Sequence, residues 1–556
     1  MKTTIRMVGT SRFSVASPYN PVFVERFRQI EGRKFDGDTK EWSFTANAEA
    51  LKAVCDVCGL LPFMLPADVQ AILRDDPVAV PKAKPVDMGL VNGHVFLTAP
   101  FDHQRVNLAR LIGNDRWLIA DEMGTGKTHA VCNLLQELFL HTNIHNVLVL
   151  CPKSVVSGWQ DELKKHADLY SEIIEGKSID RQKQISDGTN IIKIANYELL
   201  LHSDFSVVEW DVVILDEVHR CKSFTAKTSK KVRQLTGKKI QLATTPQKVA
   251  GLSGTPAPNG LEDWLGVLSV LNPDLLPTKT KTAFEARYCV KREIQPGVWK
   301  VAGYKNVQEL HGFIQSITSR VTKDEVLDLP PKTFVSRRVT MEGEQGRIYR
   351  ELKKDAVARL SKLKDIGELS IRNVLTESLR LLQIVGGHFP ADDGAVHELD
   401  QKCKLSALSD VLDELGERQA VIWCCFRDEV NMLHKWLEDK GYAVSTLMGG
   451  MSGEERGENL EAFRERRCQI HVGTAAAGGT GINQLVGADT CIYYSRSFSL
   501  TDYLQSTDRC HRIGTVSPVT VIKLIASGTI DEKVDQSLDQ KRDVLEMMLT
   551  NPAEMF

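Results

Sequence analysis

No run of apolar residues in this chain approaches the length of a membrane span, and its start, MKTTIRMVGTSRFSV, lacks the apolar stretch of a secretory signal. No membrane partner is therefore expected. The protein is expected to stay where it is made, in the cytoplasm or nucleoid, and not to be secreted. An excess of charge of either sign is also missing, the net being −2 at pH 7, so nothing global announces a polyanion partner. Low-complexity tracts and short-period repeats are absent, which excludes an extended repeat architecture. Cys55 and Cys58 form one CxxC, but no second pair at metal spacing follows, so the 12 cysteines read as buried free thiols of a reducing compartment.

What is present is the composition of an ordinary globular protein: 556 residues, 42% hydrophobic and 26% charged, enough for three or four domains. Residues 1–62 alternate short apolar and polar stretches and read as a small α+β module. Residues 63–98, rich in proline from Pro66 to Pro85, read as a linker. Short apolar strands then alternate with amphipathic helices in two blocks, 99–275 (RWLIA, NVLVLC, DVVILD) and 400–545 (AVIWCC, QIHVGT, TCIYYS). That alternation predicts α/β lobes, each a parallel sheet covered by helices. Between them, 276–399 is more charged and predicts helical protrusions and a linker.

Three sites carry chemistry. DEMGTGKT at 121–128 lies between the strand RWLIA and a helix-spaced run, the setting of a phosphate cradle. Gly124 and Gly126 let backbone amides turn toward a polyphosphate, Lys127 reaches its end, and Thr128 would hold magnesium. Asp121 stands where the strict pattern has glycine. DEVH at 216–219 ends the strand DVVILD; Asp216 suits a magnesium ion and Glu217 suits activation of the attacking water. In QSTDRCHRIG at 505–514, Arg509 and Arg512 share a helix face and can stabilise transition-state charge from the second lobe. A further strip, Arg220 to Lys239, holds eight basic residues and no acid: either a solvated helix face or a phosphate-tracking surface.

Taken in order, PFDHQ, DEMGTGKT, LVLCPKSVVSGWQDEL, IANYELL, DEVHRCKS, LSGTPAPN, WCCFRDEV, TAAAGGTGIN and QSTDRCHRIG resemble the motif set of Swi/Snf-type ATPases, a branch of helicase superfamily two. RYCVKR, LPPK and LRLLQIVGGHFP match spacers of that branch, and the resemblance covers about 100–540. It implies two RecA-like lobes, ATP and Mg2+ as cofactors, and double-stranded DNA as partner. By position it implies that Gln104 recognises adenine, that Gly124, Thr125, Gly126, Lys127 and Thr128 bind phosphates, and that Gln505 lines the ATP cleft. Asp216 and Glu217 would serve magnesium and water, and Arg509 and Arg512 would be arginine fingers. Lys153, Ser154, Trp159, Asn196 and Tyr197 in the first lobe, with Phe426, Arg427, Thr474, Gly478 and Gly479 in the second, would follow the DNA backbone. Ser253, Thr255 and Pro256 would link hydrolysis to DNA grip. Trp159 has a second reading, as a core aromatic.

Residues 13–44, FSVASPYNPVFVERFRQIEGRKFDGDTKEWSF, resemble the HARP repeat of annealing helicases at Phe27, Arg33, Phe35, Asp36, Lys40 and Trp42. Aromatic and basic residues alternating around a turn suit a grip on bent or branched DNA; the alternative is a small domain whose aromatics form its core. The expectation is thus a DNA-dependent ATPase that moves along duplex DNA and remodels forks or anneals strands. The rivals are a remodeller that displaces DNA-bound proteins, an ATP-gated DNA clamp in a repair or defence complex, and an RNA helicase. The compact size and lack of long tails point to a bacterial or viral source. Protein partners are not legible.

Overall fold

The strand Val147–Cys151 reads VLVLC with all five side chains buried, the signature of a central strand of a parallel sheet covered on both faces. In the computed structural model it lies in a seven-stranded sheet in the order Thr318–Ser319, Arg116–Ile119, Lys248–Leu252, Val212–Asp216, Val147–Cys151, Ile192–Asn196, Glu172–Ile173. Every pairing in it is parallel. The structure describes residues 3–8, 12–17, 20–30, 33–37, 39–45, 48–58, 65, 69, 81, 84–188, 191–237, 247–295, 298–365, 371–390, 396–399, 402–478, 485–512 and 514–549.

A second parallel sheet has the order Lys332–Val339, Val519–Ala526, Thr490–Tyr493, Ala420–Cys424, Ile470–Thr474, Val444–Leu447. Its core joins Ile422, Leu433, Leu437, Val472 and Ile492, all fully buried, with Leu408 and Leu412 from the helix Lys402–Leu415. Burying that apolar surface is what fixes helices against strands, at about 25 cal/mol per Å2. The fold is therefore α/β with two parallel-sheet lobes, and both lie in one compact unit, 85–272 with 317–556.

The region 276–399 departs from the helical expectation. It holds the helices Gly343–Asp365 and Ile371–Gly386, but also the hairpin Cys289–Gln295 with Val298–Tyr304. Thr318–Ser319 completes the first sheet, and Lys332–Val339 pairs along its whole length with Val519–Ala526 in the second. As an edge strand with most side chains exposed or half-exposed, KTFVSRRV carries too dilute an apolar signal to declare itself.

A separate unit comprises 1–84 with 273–316. Its amino-terminal part is a four-stranded antiparallel sheet, ordered Thr4–Val8, Arg12–Ala16, Glu41–Thr45, Lys34–Asp36, with helices Pro21–Phe27 and Ala48–Cys58. Phe13, Phe27 and Phe44 form its fully buried centre. Cys55 belongs to that core, its thiol raised by burial, and Cys58 packs against it with its thiol pushed up to about 11 by burial and then by Cys55. Among the described residues no group of His, Cys, Asp or Glu is arranged to hold a metal.

Candidate active site between the two lobes

Parallel strands in register deliver their carboxyl ends to one edge, which is where ligands bind in such sheets. Leu252 pairs with Asp216 and Cys151 with Asn196, so Ser253, Asp216, Lys153 and Asn196 all emerge at the same rim as the loop that follows Ile119. That loop turns at Gly124 and Gly126, with φ of +77° and +81°, values that a side chain would make costly. A Cβ on Gly126 would also stand 2.4 Å from Gln104 Nε2. Gly126 caps the helix Lys127–His141, so Lys127 and Thr128 are its first residues and sit at its positive dipole end.

Asp121 explains its departure from the strict pattern. Fully buried, it accepts from Asn107 Nδ2 at 2.6 Å and from Val321 N at 3.0 Å, tying the loop to the helix Asp102–Gly113 and to the segment after Thr318–Ser319. Gln104 accepts from Phe101 N at 3.0 Å and donates to Thr125 O at 3.1 Å, spending its amide on the shape of the loop. Lys127 Nζ donates to the carbonyls of Asp121 and Glu122 at 2.9 and 3.0 Å. Burial lowers its pKa, and Glu217, Asp121 and Asp216 oppose that shift.

Glu217 sits at φ +50°, a left-handed backbone that a residue without glycine's freedom holds only when its surroundings fix it. Its Oε1 accepts from Gln505 Nε2 at 3.0 Å, and its Oε2 lies 3.1 Å from His219 Nδ1. His219 Nδ1 also meets Ser253 Oγ at 3.0 Å, and Thr255 N donates to that same Oγ at 3.2 Å. One hydrogen-bonded chain therefore runs from Thr255 through Ser253, His219 and Glu217 to Gln505 of the second lobe. The motif DEVH alone gives His219 no role; the folded geometry does. Burial and the charge of Glu217 push Asp216 up to about 7. Burial raises Glu217 too, but His219, Lys127 and Arg509 outweigh it and hold this carboxyl below its ordinary value.

From the second lobe, Arg509 donates through Nε to Gly478 O at 2.9 Å. Burial, then Arg512, push its guanidinium down to about 10, so it stays charged at neutral pH. A Cβ on Gly124 would stand 3.5 Å from Arg512 Cβ, so this arginine lies directly against the glycine loop. Glycines with positive φ, a lysine at a helix start, an acidic pair and two cations from the facing lobe form a donor set that fits a nucleoside triphosphate. Thr128 and Asp216 are the side chains suited to a divalent ion beside it.

Next to the acidic pair a cleft of about 910 Å3 is lined by Lys153, Ser154, Asn196, Glu217, Arg220, Arg456 and Gln505, among others. It unites three residues expected to follow DNA with Glu217 and adds Arg220 and Arg456. Trp159 and Tyr197, expected along the DNA path, are 2% and 1% exposed. Trp159 Nε1 donates to Asp216 Oδ2 and Tyr197 Oη to Asp216 O, both at 2.8 Å, so the two aromatics hold Asp216 in place. Phe426, Arg427 and Thr474 are not among the lining residues of this cleft; Phe426 packs on His388 at 5.3 Å. Gly478 lies against Trp423, which a Cβ would strike at 2.3 Å, and Gly479 lies outside the described residues. In the basic strip, Lys227, Lys230 and Lys231 are exposed, whereas Arg220 pairs with Glu198 and Arg233 stacks on Phe224 at 4.0 Å; Lys238 and Lys239 lie outside the described residues.

The amino-terminal module divides its aromatics. Phe27 is core, while Phe35 is 50% exposed and packs, tilted by 48°, against Trp42 at 5.0 Å between ring centroids. Both line a cavity of about 1290 Å3 whose rim carries Arg28, Arg33, Lys34 and Lys40. The hairpin that presents them closes with Asp36 opposite Glu41, as the turn FDGDTKEW predicts.

Residues 103–386 match the SNF2-related domain, and 403–514 match the helicase conserved C-terminal domain. Chromodomain-helicase-DNA-binding protein 1-like of Mus musculus is 27% identical over 78% of this chain and 47% of its own length. SWI/SNF-related matrix-associated actin-dependent regulator of chromatin subfamily A member 1 of Homo sapiens is 26% identical over 76% of this chain and 41% of its own. ATP-dependent DNA helicase DDM1 of Arabidopsis thaliana is 26% identical, covering 75% and 57%. The chain thus spans about half the length of the curated relatives it matches.

Proposed function

Because the chain belongs to the family of SNF2-related domain proteins, with a helicase conserved C-terminal domain behind that domain, we propose that it is an ATP-dependent motor that moves along double-stranded DNA. The observation that carries this reading is the hydrogen bond from Gln505 Nε2 to Glu217 Oε1 at 3.0 Å, which joins the hydrolytic carboxylate of one lobe to the finger-bearing segment of the other. Chemistry at Glu217 and closure of the lobes are thereby one event.

In this mechanism the loop amides at Gly124 to Thr128 and Lys127 hold the phosphates, and Gln104 sets the loop from behind. Glu217, kept ionised by His219, takes a proton from the attacking water, while Arg509 and Arg512 balance charge on the leaving phosphoryl group. Thr128 and Asp216 would hold a magnesium ion, which would neutralise phosphate charge when bound. Lys153, Ser154 and Asn196, with Arg220 and Arg456, contact the DNA backbone without reading its bases.

The finer part of the proposal is action on branched or forked DNA, with fork remodelling or strand annealing as output. It is supported by the exposed Phe35, the adjacent Trp42 and the basic rim of the amino-terminal cavity, a set that stacks an unpaired base and holds its phosphates. A second reading, displacement of proteins from DNA, is favoured by the chromatin-related names of two relatives. ATP hydrolysis measured with no polymer, single strand, duplex, fork and RNA separates the possibilities. Duplex and fork are expected to stimulate most, and Lys127→Ala and Glu217→Gln to abolish turnover with DNA binding retained; turnover in either variant, or equal stimulation by RNA, overturns the reading. Phe35→Ala is expected to lower stimulation by forks more than by linear duplex, and an equal loss on both removes the branch specificity.

A further inference from the structure

Lys323 belongs to none of the three chemical sites, yet it touches two of them. It begins the short helix Lys323–Val326 on the segment that leaves the first sheet, and its side chain is 98% buried. Its Nζ donates to His511 O at 2.7 Å and pairs with Asp508 Oδ1 at 2.8 Å, on either side of Arg509. Its backbone N donates to Glu122 Oε2 at 2.8 Å, and a Cβ on Gly124 would stand 3.3 Å from its Cε. One lysine thus bridges DEMGTGKT and DRCHR. The segment before it is itself fixed to the loop: Glu122 N donates to Val321 O at 2.9 Å, and Arg320 reaches Ala120 O at 2.7 Å.

We propose that Lys323 is a positioning residue that sets the arginine-bearing segment against the nucleotide loop by occupying Asp508; this rests on the reading of Arg509 and Arg512 as transition-state cations. The charge argument is direct. Asp508 acts on both Arg509 and Arg512, each of which feels its carboxylate. Without a competing cation the carboxylate would draw these guanidiniums back along their own segment, away from the cleft. Lys323 supplies that cation, with Lys332 Nζ a second at 3.7 Å. Removing one partner of such a buried pair leaves the other's charge buried and uncompensated.

The test uses the full chain with duplex DNA. Lys323→Met is expected to lower kcat by about 10-fold while KM for ATP and the Kd of a fluorescent ATP analogue stay within about twofold, the pattern of a group that acts only in the transition state. Adding Asp508→Asn to Lys323→Met removes the carboxylate that pulls on the arginines, and is expected to restore at least about half of the lost turnover, a coupling that a merely structural lysine would not produce. Unchanged kcat in Lys323→Met, or a double variant no better than the single one, overturns the proposal. Should Lys323→Met not fold, Lys323→Gln serves: it keeps a donor for His511 O but removes the charge opposite Asp508, and wild-type kcat there is equally fatal. Arg509→Ala is the control. Wild-type turnover in that variant sinks the finger reading itself, whereas its loss alongside a normal Lys323→Met sinks the positioning role alone.

Discussion

Trp159 Nε1 donates a hydrogen bond to Asp216 Oδ2 at 2.8 Å, joining the helix Val156–Ala167 to the end of the strand Val212–Asp216. A hydrogen bond to a charged group contributes about 1.5–3 kcal/mol, and here it aims the carboxylate suited to the metal. Trp159→Phe keeps the ring and removes the donor. Turnover is expected to fall by about 10-fold or more, with duplex affinity by equilibrium titration unchanged. Weaker DNA binding with normal turnover would return Trp159 to the DNA-tracking role.

His219 governs the ionisation of Glu217. Burial pushes that carboxyl upward, and the bond and charge of His219 lead the forces that bring it below its ordinary value. Replacing His219 with Ala removes the leading one, so the carboxyl pKa rises. A base acts only when ionised, so the acid limb of the kcat/KM profile is expected to move to higher pH, with the alkaline limb in place. A profile recorded from pH 5 to 9 settles the matter, and an unmoved acid limb rejects the assignment.

Glu429 makes stability depend on pH. Fully buried, it accepts from Cys425 N at 3.0 Å, Phe426 N at 3.1 Å and Ser495 Oγ, yet burial pushes its carboxyl from 4.5 up to about 7. The folded state then holds the proton more tightly than the unfolded state does. Its contribution is full below the unfolded pKa and is lost as pH rises through about 7, on the order of 3 kcal/mol in all. Wild-type Tm is expected to decline between pH 5 and 8, and Glu429→Gln to flatten that decline. Parallel slopes for the two proteins would refute it.

The parts of this molecule legible from residues alone were those with strong local signals. DVVILD and NVLVLC are apolar enough to be central strands wherever they occur, and DEMGTGKT between a strand and a helix has few other uses. Lys332–Val339 escaped because an edge strand alternates weakly, and Trp159 was ambiguous because a tryptophan's nitrogen finds its partner only once the sheet has formed. The bond from Gln505 to Glu217 spans nearly 300 positions. No spacing rule anticipates it, since it exists only where two lobes meet.

Val321 is hydrogen-bonded to the nucleotide loop of one sheet, and Lys332 opens an edge strand of the other. Only 322–331 lies between these anchors, it ends in the stiff pair Pro330–Pro331, and His511 Nε2 holds Pro330 O at 2.8 Å. A tether of that length reaches roughly 35 Å at full stretch, and far less while the prolines and that histidine restrain it. The lobes are therefore confined to opening like the covers of a narrow-spined book.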